Sequence, residues 1–252
     1  MDKKEVFNII EWIKEYFKKC SSAKGVVIGM SGGKDSFVVA KLCTEALGKE
    51  NVLGVIMPNN QMTDFDDAKI SCEILGINYT TIDITNSYSS ILDSIRPYLQ
   101  QNNIALNSVS TINTAPRIRM TTLYALAGSL NYLVANTSNL SEAEVGYTTK
   151  WGDNVGDFAP IANFTKSEVC EIGLLLGLPK QLINKIPSDG LSNKSDEEKL
   201  GFSYDELDTF IRTGIKGKKF DTILSKNISS SHKRNGVIKY ENNLKNYFNK
   251  RK

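Results

Sequence analysis

Between residues 25 and 136, short apolar runs alternate with longer stretches of helical period, and nothing else in the chain restricts its fold as strongly. The pattern predicts strands at 25–29, 52–57, 78–84 and 131–136, with helices at 35–47, 64–75, 87–101 and 115–129. Strands separated by helices cannot pair as tight hairpins, so the expected class is α/β, a parallel sheet flanked by helices. Open sheets of this kind bind ligands outside the carboxyl ends of their strands. Ligand-facing residues are therefore expected in the loops after residues 29 and 57.

The first of those loops is Gly29-Met30-Ser31-Gly32-Gly33-Lys34-Asp35-Ser36, which follows Val26-Val27-Ile28 and opens the helix at Phe37. Its glycines let backbone approach an anion, Ser31 and Ser36 bring hydroxyls, and the helix directs its first amides and positive dipole end to the same place. A carboxylate among phosphate donors would repel the ligand unless a divalent cation lay between them, which makes Asp35 a magnesium ligand by expectation. The loop is not a Walker A motif, because Asp35 follows Lys34 where that motif needs Ser or Thr. It resembles instead the SGGxDS loop of the N-type ATP pyrophosphatases, which split ATP into AMP and pyrophosphate and hold the pyrophosphate on this loop.

Composition narrows the partners. In 252 residues, 31 Lys and Arg stand against 28 Asp and Glu, a net charge of +3 that leaves no nucleic-acid footprint. Cys20, Cys43, Cys72 and Cys170 form no CxxC pair, which argues against zinc and disulfides and for a reduced, cytoplasmic location. No apolar run is long enough to span a membrane, and residues 1–19 show no signal-peptide character. They read as an amphipathic helix with Val6, Ile9, Ile10, Ile13, Tyr16 and Phe17 on one face; Asp2, Glu5, Glu11 and Glu15 favour core or dimer packing over a membrane surface. One domain over 1–252 is the expectation, with mobile loops near 102–113 and 186–199, the latter a candidate lid, and a basic tail ending Lys250-Arg251-Lys252.

A second motif cluster follows the strand Tyr132-Leu133-Val134: Asn136-Thr137-Ser138-Asn139, Glu142, Gly146-Tyr147-Thr148-Thr149-Lys150-Trp151-Gly152-Asp153, Asp157, Pro160 and Lys166. With the Ser31–Ser36 loop, Pro116-Arg117-Ile118-Arg119-Met120, Ile186-Pro187-Ser188-Asp189, and Asp196-Glu197 before Leu200-Gly201, it resembles the ammonia-dependent NAD synthetases over residues 5–235. The resemblance implies a doubly wound, mostly parallel, Rossmann-like sheet and a homodimer. It implies an enzyme, a C–N ligase that uses ATP to adenylate the nicotinate carboxylate of deamido-NAD and lets ammonia displace AMP. It also implies site residues. Gly29, Ser31, Gly32, Gly33, Asp35, Ser36, Thr137, Lys166 and Ser188 would hold ATP, and Asp35 and Glu142 the Mg2+; Asp35 and Lys166 would be catalytic; Arg117, Lys150, Asp157, His232 and Lys233 would hold deamido-NAD.

The chemistry agrees with such a set, since attack of a weak carboxylate nucleophile on the α-phosphorus needs charge neutralisation and alignment above all. Arg117 and Arg119, two apart in a helix, are expected to serve different contacts, and Tyr147 and Trp151 to pack in the core or a wall. The sequence departs from the family pattern at Lys34, Pro116 and Asn136, in a short 188–196 loop, and in Asn235-Gly236-Val237, which lacks the usual proline. No glutaminase segment is visible, so ammonia is expected to be free or delivered by another protein. Two other readings stay open: a ligase sharing this loop but acting on another acceptor, such as tRNA or a thiolated base, and a dinucleotide or ATP sensor without turnover.

Overall fold

Val26, Val27 and Ile28 are fully buried because both faces of their strand are covered, and this arrangement sets the whole architecture. The computed structural model describes residues 1–20, 22–60, 62–185 and 195–238. In chain order it runs α1 (Lys3–Lys19), β1 (Gly25–Gly29), α2 (Lys34–Leu47), a 3-10 turn (Lys49–Asn51), β2 (Val52–Ile56), α3 (Phe65–Leu75) and β3 (Asn78–Thr81). It continues with α4 (Thr85–Gln101), α5 (Ser108–Leu130), β4 (Tyr132–Val134), α6 (Leu140–Glu144), α7 (Lys166–Leu175) and α8 (Lys180–Ile183). The last described elements are α9 (Asp196–Leu200), α10 (Tyr204–Thr213), α11 (Phe220–Ser229) and α12 (Ser231–Arg234).

The four strands are parallel in the order β3-β2-β1-β4, with Val26 opposite Val52 on one side and Leu133 on the other. Alternate side chains feed two cores. Val26, Ile28, Val52 and Ile56 pack with Val6, Ile9 and Ile13 of α1, Phe37, Val38 and Leu42 of α2, and Val169 and Ile172 of α7. Val27, Val55 and Val134 pack on the opposite face with Ala115, Ile118 and Ala127 of α5. Each buried aliphatic side chain contributes about 1.5–3 kcal/mol. Helices on both faces make the sheet doubly wound, as the resemblance implied. The amphipathic first helix is core packing: Tyr16 and Phe17 meet Phe158 at ring separations of 5.4 and 5.5 Å.

The chain runs outward from β1 to β3 and then returns to β4 on the other side of β1, so β1 and β4 flank the topological switch point. The loops leaving them, Met30–Gly33 and Ala135–Asn139, diverge there. A third cluster, Val145, Leu200, Phe202, Tyr204, Leu207 and Ile223, unites α6, α9, α10 and α11 beside that point.

Two expected loops are corrected. Residues 108–113 of the 102–113 segment are the first turns of α5, opened by the Asn107 side chain accepting from Ser110 N–H at 2.8 Å. Their apolar residues Val109 and Ile112 face outward, so no buried stripe marked them. Residues 196–199 of the 186–199 segment belong to α9, fixed by a capping box between Ser195 and Glu198. The remainder of that segment, with Ser188, and the tail Lys250–Lys252 lie outside the described residues. Among the described residues no helix is long and apolar enough to cross a membrane.

Candidate active site at the β1–β4 switch point

The phosphate-type loop is shaped by a close approach. Gly32 has φ +79°, and a Cβ there would lie 2.3 Å from the Asp64 carbonyl oxygen, so glycine is required both for conformation and for space. Gly33 caps α2 without a side-chain hydrogen bond, leaving the first amides of that helix for an anion. The Ser31 and Ser36 hydroxyls lie 3.2 Å apart, Gly33 N–H donates to Ser31 Oγ (3.2 Å), and Ser36 Oγ donates to the Gly33 carbonyl (3.0 Å). Ser36, almost fully buried, thus braces the loop from within. Lys34 turns out of the loop, with Nζ 3.5 Å from Cys170 Sγ on α7, which accommodates its departure from the family pattern.

Across the switch point, α6 and α7 bring the second half of the cluster. Asn139 caps α6 by accepting from Glu142 N–H (3.0 Å), and its amide donates to Asp35 Oδ1 at 3.2 Å. Thr165 and Glu168 form a capping box that starts α7 at Lys166. The Lys166 ammonium, 7% exposed, donates to Asp35 Oδ2 at 3.1 Å and to Glu142 Oε1 at 2.5 Å. Burial opposes the charge on Lys166, but Asp35 and Glu142 outweigh it and hold its pKa well above the usual lysine value. Burial pushes the Glu142 carboxyl up to about 7, with the Asp35 charge adding to the rise and Lys166 working against it. Two carboxyl groups share one ammonium here, which leaves carboxyl oxygens as donors for a further cation.

A second network gathers most of the residues expected to bind the acceptor. Arg117 Nε donates to the Lys150 carbonyl (3.2 Å), Lys150 Nζ to the His232 carbonyl (2.6 Å), and Lys233 Nζ to the carbonyls of Gly146 (2.7 Å) and Thr148 (2.8 Å). Burial lowers the Lys233 pKa. Arg119 points elsewhere, as expected, its Nε donating to the Met57 carbonyl at 3.0 Å. Asp157 shares no hydrogen bond with that network: its Oδ2 accepts from Val134 N–H at 2.7 Å and its Oδ1 from Tyr124 at 3.4 Å, fastening β4. Thr137 is half-buried just beyond β4. Trp151 is not in the core; it stands 45% exposed, at φ +63°, with Lys150 Nζ 5.2 Å from its ring.

Two further departures, Asn136 and Pro116, also find reasons. Asn136 donates to the carbonyls of Asp153 (3.0 Å) and Val155 (3.3 Å) and accepts from Ser138 N–H (2.9 Å), tying together the two loops of the site. Pro116 lies inside α5 and packs against Gly152, whose added Cβ would stand 3.0 Å from Pro116 Cβ. Sequence reasoning quoted Asn139 in the second motif cluster without giving it a role, and passed over Ser141, Tyr204 and Asp208, which gather around Lys166. Only Asn139 carried a local signal, as an Asn three residues before Glu142 at a helix start.

A doubly wound parallel sheet with a glycine-serine loop at a helix N-terminus and an ammonium held by two carboxyl groups at its switch point is the layout of an α/β protein built to take a phosphate-bearing ligand there. The chain belongs to the NAD synthase family, whose model matches residues 5–250. It is 44% identical over 209 residues to an NH(3)-dependent NAD(+) synthetase of Thermococcus sibiricus, covering 82% of this chain and 79% of that protein. Among solved structures it resembles NMN synthetase from Francisella tularensis with a TM-score of 0.85 and 34% identity, over 94% of this chain and 98% of that one. It resembles the NH3-dependent NAD synthetase from Campylobacter jejuni with a TM-score of 0.76 and 31% identity, over 96% and 100% of the two chains.

Proposed function

We propose that this chain amidates deamido-NAD. ATP adenylates the nicotinate carboxylate with loss of pyrophosphate, and ammonia then displaces AMP to give NAD. The observation that carries the reading is Lys166 fixed between Asp35 and Glu142 across the switch point from the anion loop, in a chain matched almost end to end by its family.

In this reading the Gly29–Ser36 loop holds the leaving pyrophosphate, with Gly29, Gly32 and Gly33 giving backbone access and Ser31 and Ser36 keeping the loop in shape. Lys166 neutralises charge building on the phosphates, and Thr137 and Ser188 complete the ATP contacts. Asp35 and Glu142 suit Mg2+, because they offer a pair of hard oxygen donors that already share a cation, and Mg2+ binds through one or two carboxylates plus phosphate oxygens. The chemistry Mg2+ supplies when bound is neutralisation of phosphate charge. Arg117, Lys150, His232 and Lys233 hold the anionic acceptor, and Asp157 contributes by fixing β4 at the same rim.

The active form is a homodimer. Of the 17 residues of α4 only Leu92 is buried, while Ile91, Ile95 and Tyr98 form an exposed stripe at helical spacing, with Val109 and Ile112 exposed on the neighbouring α5. An apolar patch of this kind marks an interface, and a second copy would cover it isologously. The four free cysteines, with burial pushing the Cys72 thiol up to about 12, suit a reducing cytoplasm.

A second reading concerns the acceptor. One solved relative, 34% identical, is an NMN synthetase, which raises a mononucleotide acceptor in place of the dinucleotide. Purified protein with ATP, Mg2+ and either deamido-NAD or nicotinate mononucleotide, with and without ammonium, separates the two when AMP and amidated product are followed chromatographically. Stoichiometric AMP and NAD that require ammonium are expected. Amidation of the mononucleotide alone would replace the dinucleotide reading, AMP release indifferent to both acceptors would indicate another ligase, and tight binding without AMP would indicate a sensor.

A further inference from the structure

Helix α10 contributes none of the motif residues, yet two of its side chains, one turn apart, reach the surroundings of Lys166. Asp208 is buried at 6% exposure. Its Oδ1 accepts from Ser141 Oγ at 2.5 Å, and its Oδ2 from Ser167 N–H at 2.9 Å and Ser167 Oγ at 2.7 Å. Ser141 Oγ in turn accepts from Lys166 N–H at 2.9 Å. One carboxylate therefore joins α6, where Ser141 precedes Glu142, to the first turn of α7, where Lys166 begins the helix. Its charge also lies at the positive end of α7, where an anion is favoured.

Tyr204 acts on the far end of the same lysine. Its ring centroid is 5.0 Å from Lys166 Nζ, within cation–π range. Its amide is held by Glu197 Oε1 at 2.7 Å, which ties the ring's position to α9. The Tyr204 hydroxyl is buried and has no hydrogen-bond partner among the described residues, so the part of Tyr204 that faces the site's chemistry is the ring. A lysine carries its charge on a long flexible stem, and a preorganised donor is effective only when that charge is held where negative charge will develop.

We propose that α10 is the element that aims Lys166, with Asp208 fixing the backbone from which the side chain springs and Tyr204 fixing the ammonium. Both are positioning residues for the ATP half of the reaction. This rests on the reading of Lys166 as an ATP-facing group, and the experiment keeps the two apart.

The test is steady-state and single-turnover kinetics of the full chain with ATP, Mg2+, deamido-NAD and ammonium, for Tyr204→Phe, Tyr204→Met and Asp208→Asn, each also in a Lys166→Met background. Tyr204→Phe keeps the ring and loses only a hydroxyl that has no partner among the described residues, so its kcat is expected within about twofold of the parent with no loss of melting temperature. Tyr204→Met fills the space without a ring and is expected to lower kcat by about threefold to thirtyfold, the span of a cation–π contact, with KM for deamido-NAD unchanged. In the Lys166→Met background the same substitution is expected to cost nothing further, because the residue it positions is gone. An equal loss in both backgrounds, an equal loss for Tyr204→Phe and Tyr204→Met, or an unchanged kcat for Tyr204→Met overturns the proposal. Parent-like turnover of Lys166→Met alone overturns the reading beneath it, an outcome visible without any α10 variant. Should Tyr204→Met not fold, Asp208→Asn supplies the same cycle, with a loss confined to the Lys166 background supporting the proposal and an equal loss in both overturning it.

Discussion

Lys166 Nζ lies 2.5 Å from Glu142 Oε1 while holding Asp35 Oδ2 at 3.1 Å, so one ammonium joins the residue that starts α7 to carboxylates on α6 and α2. A buried ion pair of this kind is a poor source of stability, because desolvation consumes most of the attraction. A cluster that adds little to stability is better accounted for by a role in chemistry.

Replacing Lys166 by Met separates those roles. Turnover, followed as AMP release, is expected to fall about 100-fold to 1000-fold, as for loss of one preorganised charged donor. The two carboxylates are left without their shared cation, so the melting temperature of the variant is expected to rise more on adding Mg2+ than that of the parent. An equal rise in both proteins would remove Asp35 and Glu142 as a metal pair.

The two hydrogen-bond networks predict two kinetic classes. Asp35→Asn and Glu142→Gln alter only the cluster around Lys166 and are expected to raise the Mg2+ and ATP requirement. Lys150→Ala releases the His232 carbonyl and is expected to raise KM for deamido-NAD about tenfold, the worth of one charge-assisted hydrogen bond. Equal loss of ATP affinity in all three variants, measured by titration of each substrate, would merge the half-sites.

Much of this was legible because local signals and the global fold agree. Strand 25–29, the Ser31–Ser36 loop and the helix after it are fixed by apolar runs, glycines and an N-terminus within a dozen residues, and β1 was found with the expected ends. The start of α5 was not, because Val109 and Ile112 turn away from the core and leave no buried periodicity to read. Asp208 was invisible for a different reason. Its partners, Ser141 and Ser167, lie 67 and 41 residues away, and only tertiary packing makes an ordinary helix aspartate into a brace. Asp157 shows the converse, since a residue assigned by resemblance to the ligand also accepts from Val134 N–H and Tyr124, a fastening of β4 that no sequence pattern announced.

Assembly is testable on α4. Ile95→Asp sets a charge in the exposed stripe without touching either core, so the isolated fold is expected to persist. Light scattering after size exclusion is expected to give twice the 28.0 kDa chain mass for the parent and the single mass for the variant. A parent that runs as a monomer at micromolar concentration would remove the dimer.

Gly32→Ala tests the loop itself. The added Cβ meets the Asp64 carbonyl and must also adopt φ +79°, and backbone strain of this sort costs on the order of 1–3 kcal/mol. Lower thermal stability together with weaker binding of a non-hydrolysable ATP analogue is expected, by calorimetry. Unchanged ATP binding would separate the loop from the phosphates.

The acid limb of stability follows from Glu168, whose carboxylate accepts from Arg212 Nε at 2.7 Å and from Thr165 N–H at 2.8 Å in the cap of α7. Burial acts to raise its pKa, but Arg212 and the Thr165 amide outweigh burial and hold it below the usual glutamate value. A depressed folded-state pKa contributes stability that is fully present above the unfolded value, about 4.3, and is lost as pH falls through the folded value. Glu168→Gln is therefore expected to melt below the parent at pH 7, with a gap that holds down to about pH 5 and closes below about pH 4. Because Arg212 is partly exposed, the gap is also expected to shrink in high salt. A gap that persists unchanged to pH 3 would mean that the glutamate matters for the hydrogen bonds of its carboxyl in the cap and not for its charge, and that the ion pair with Arg212 does not help to hold α7, and with it Lys166, in place.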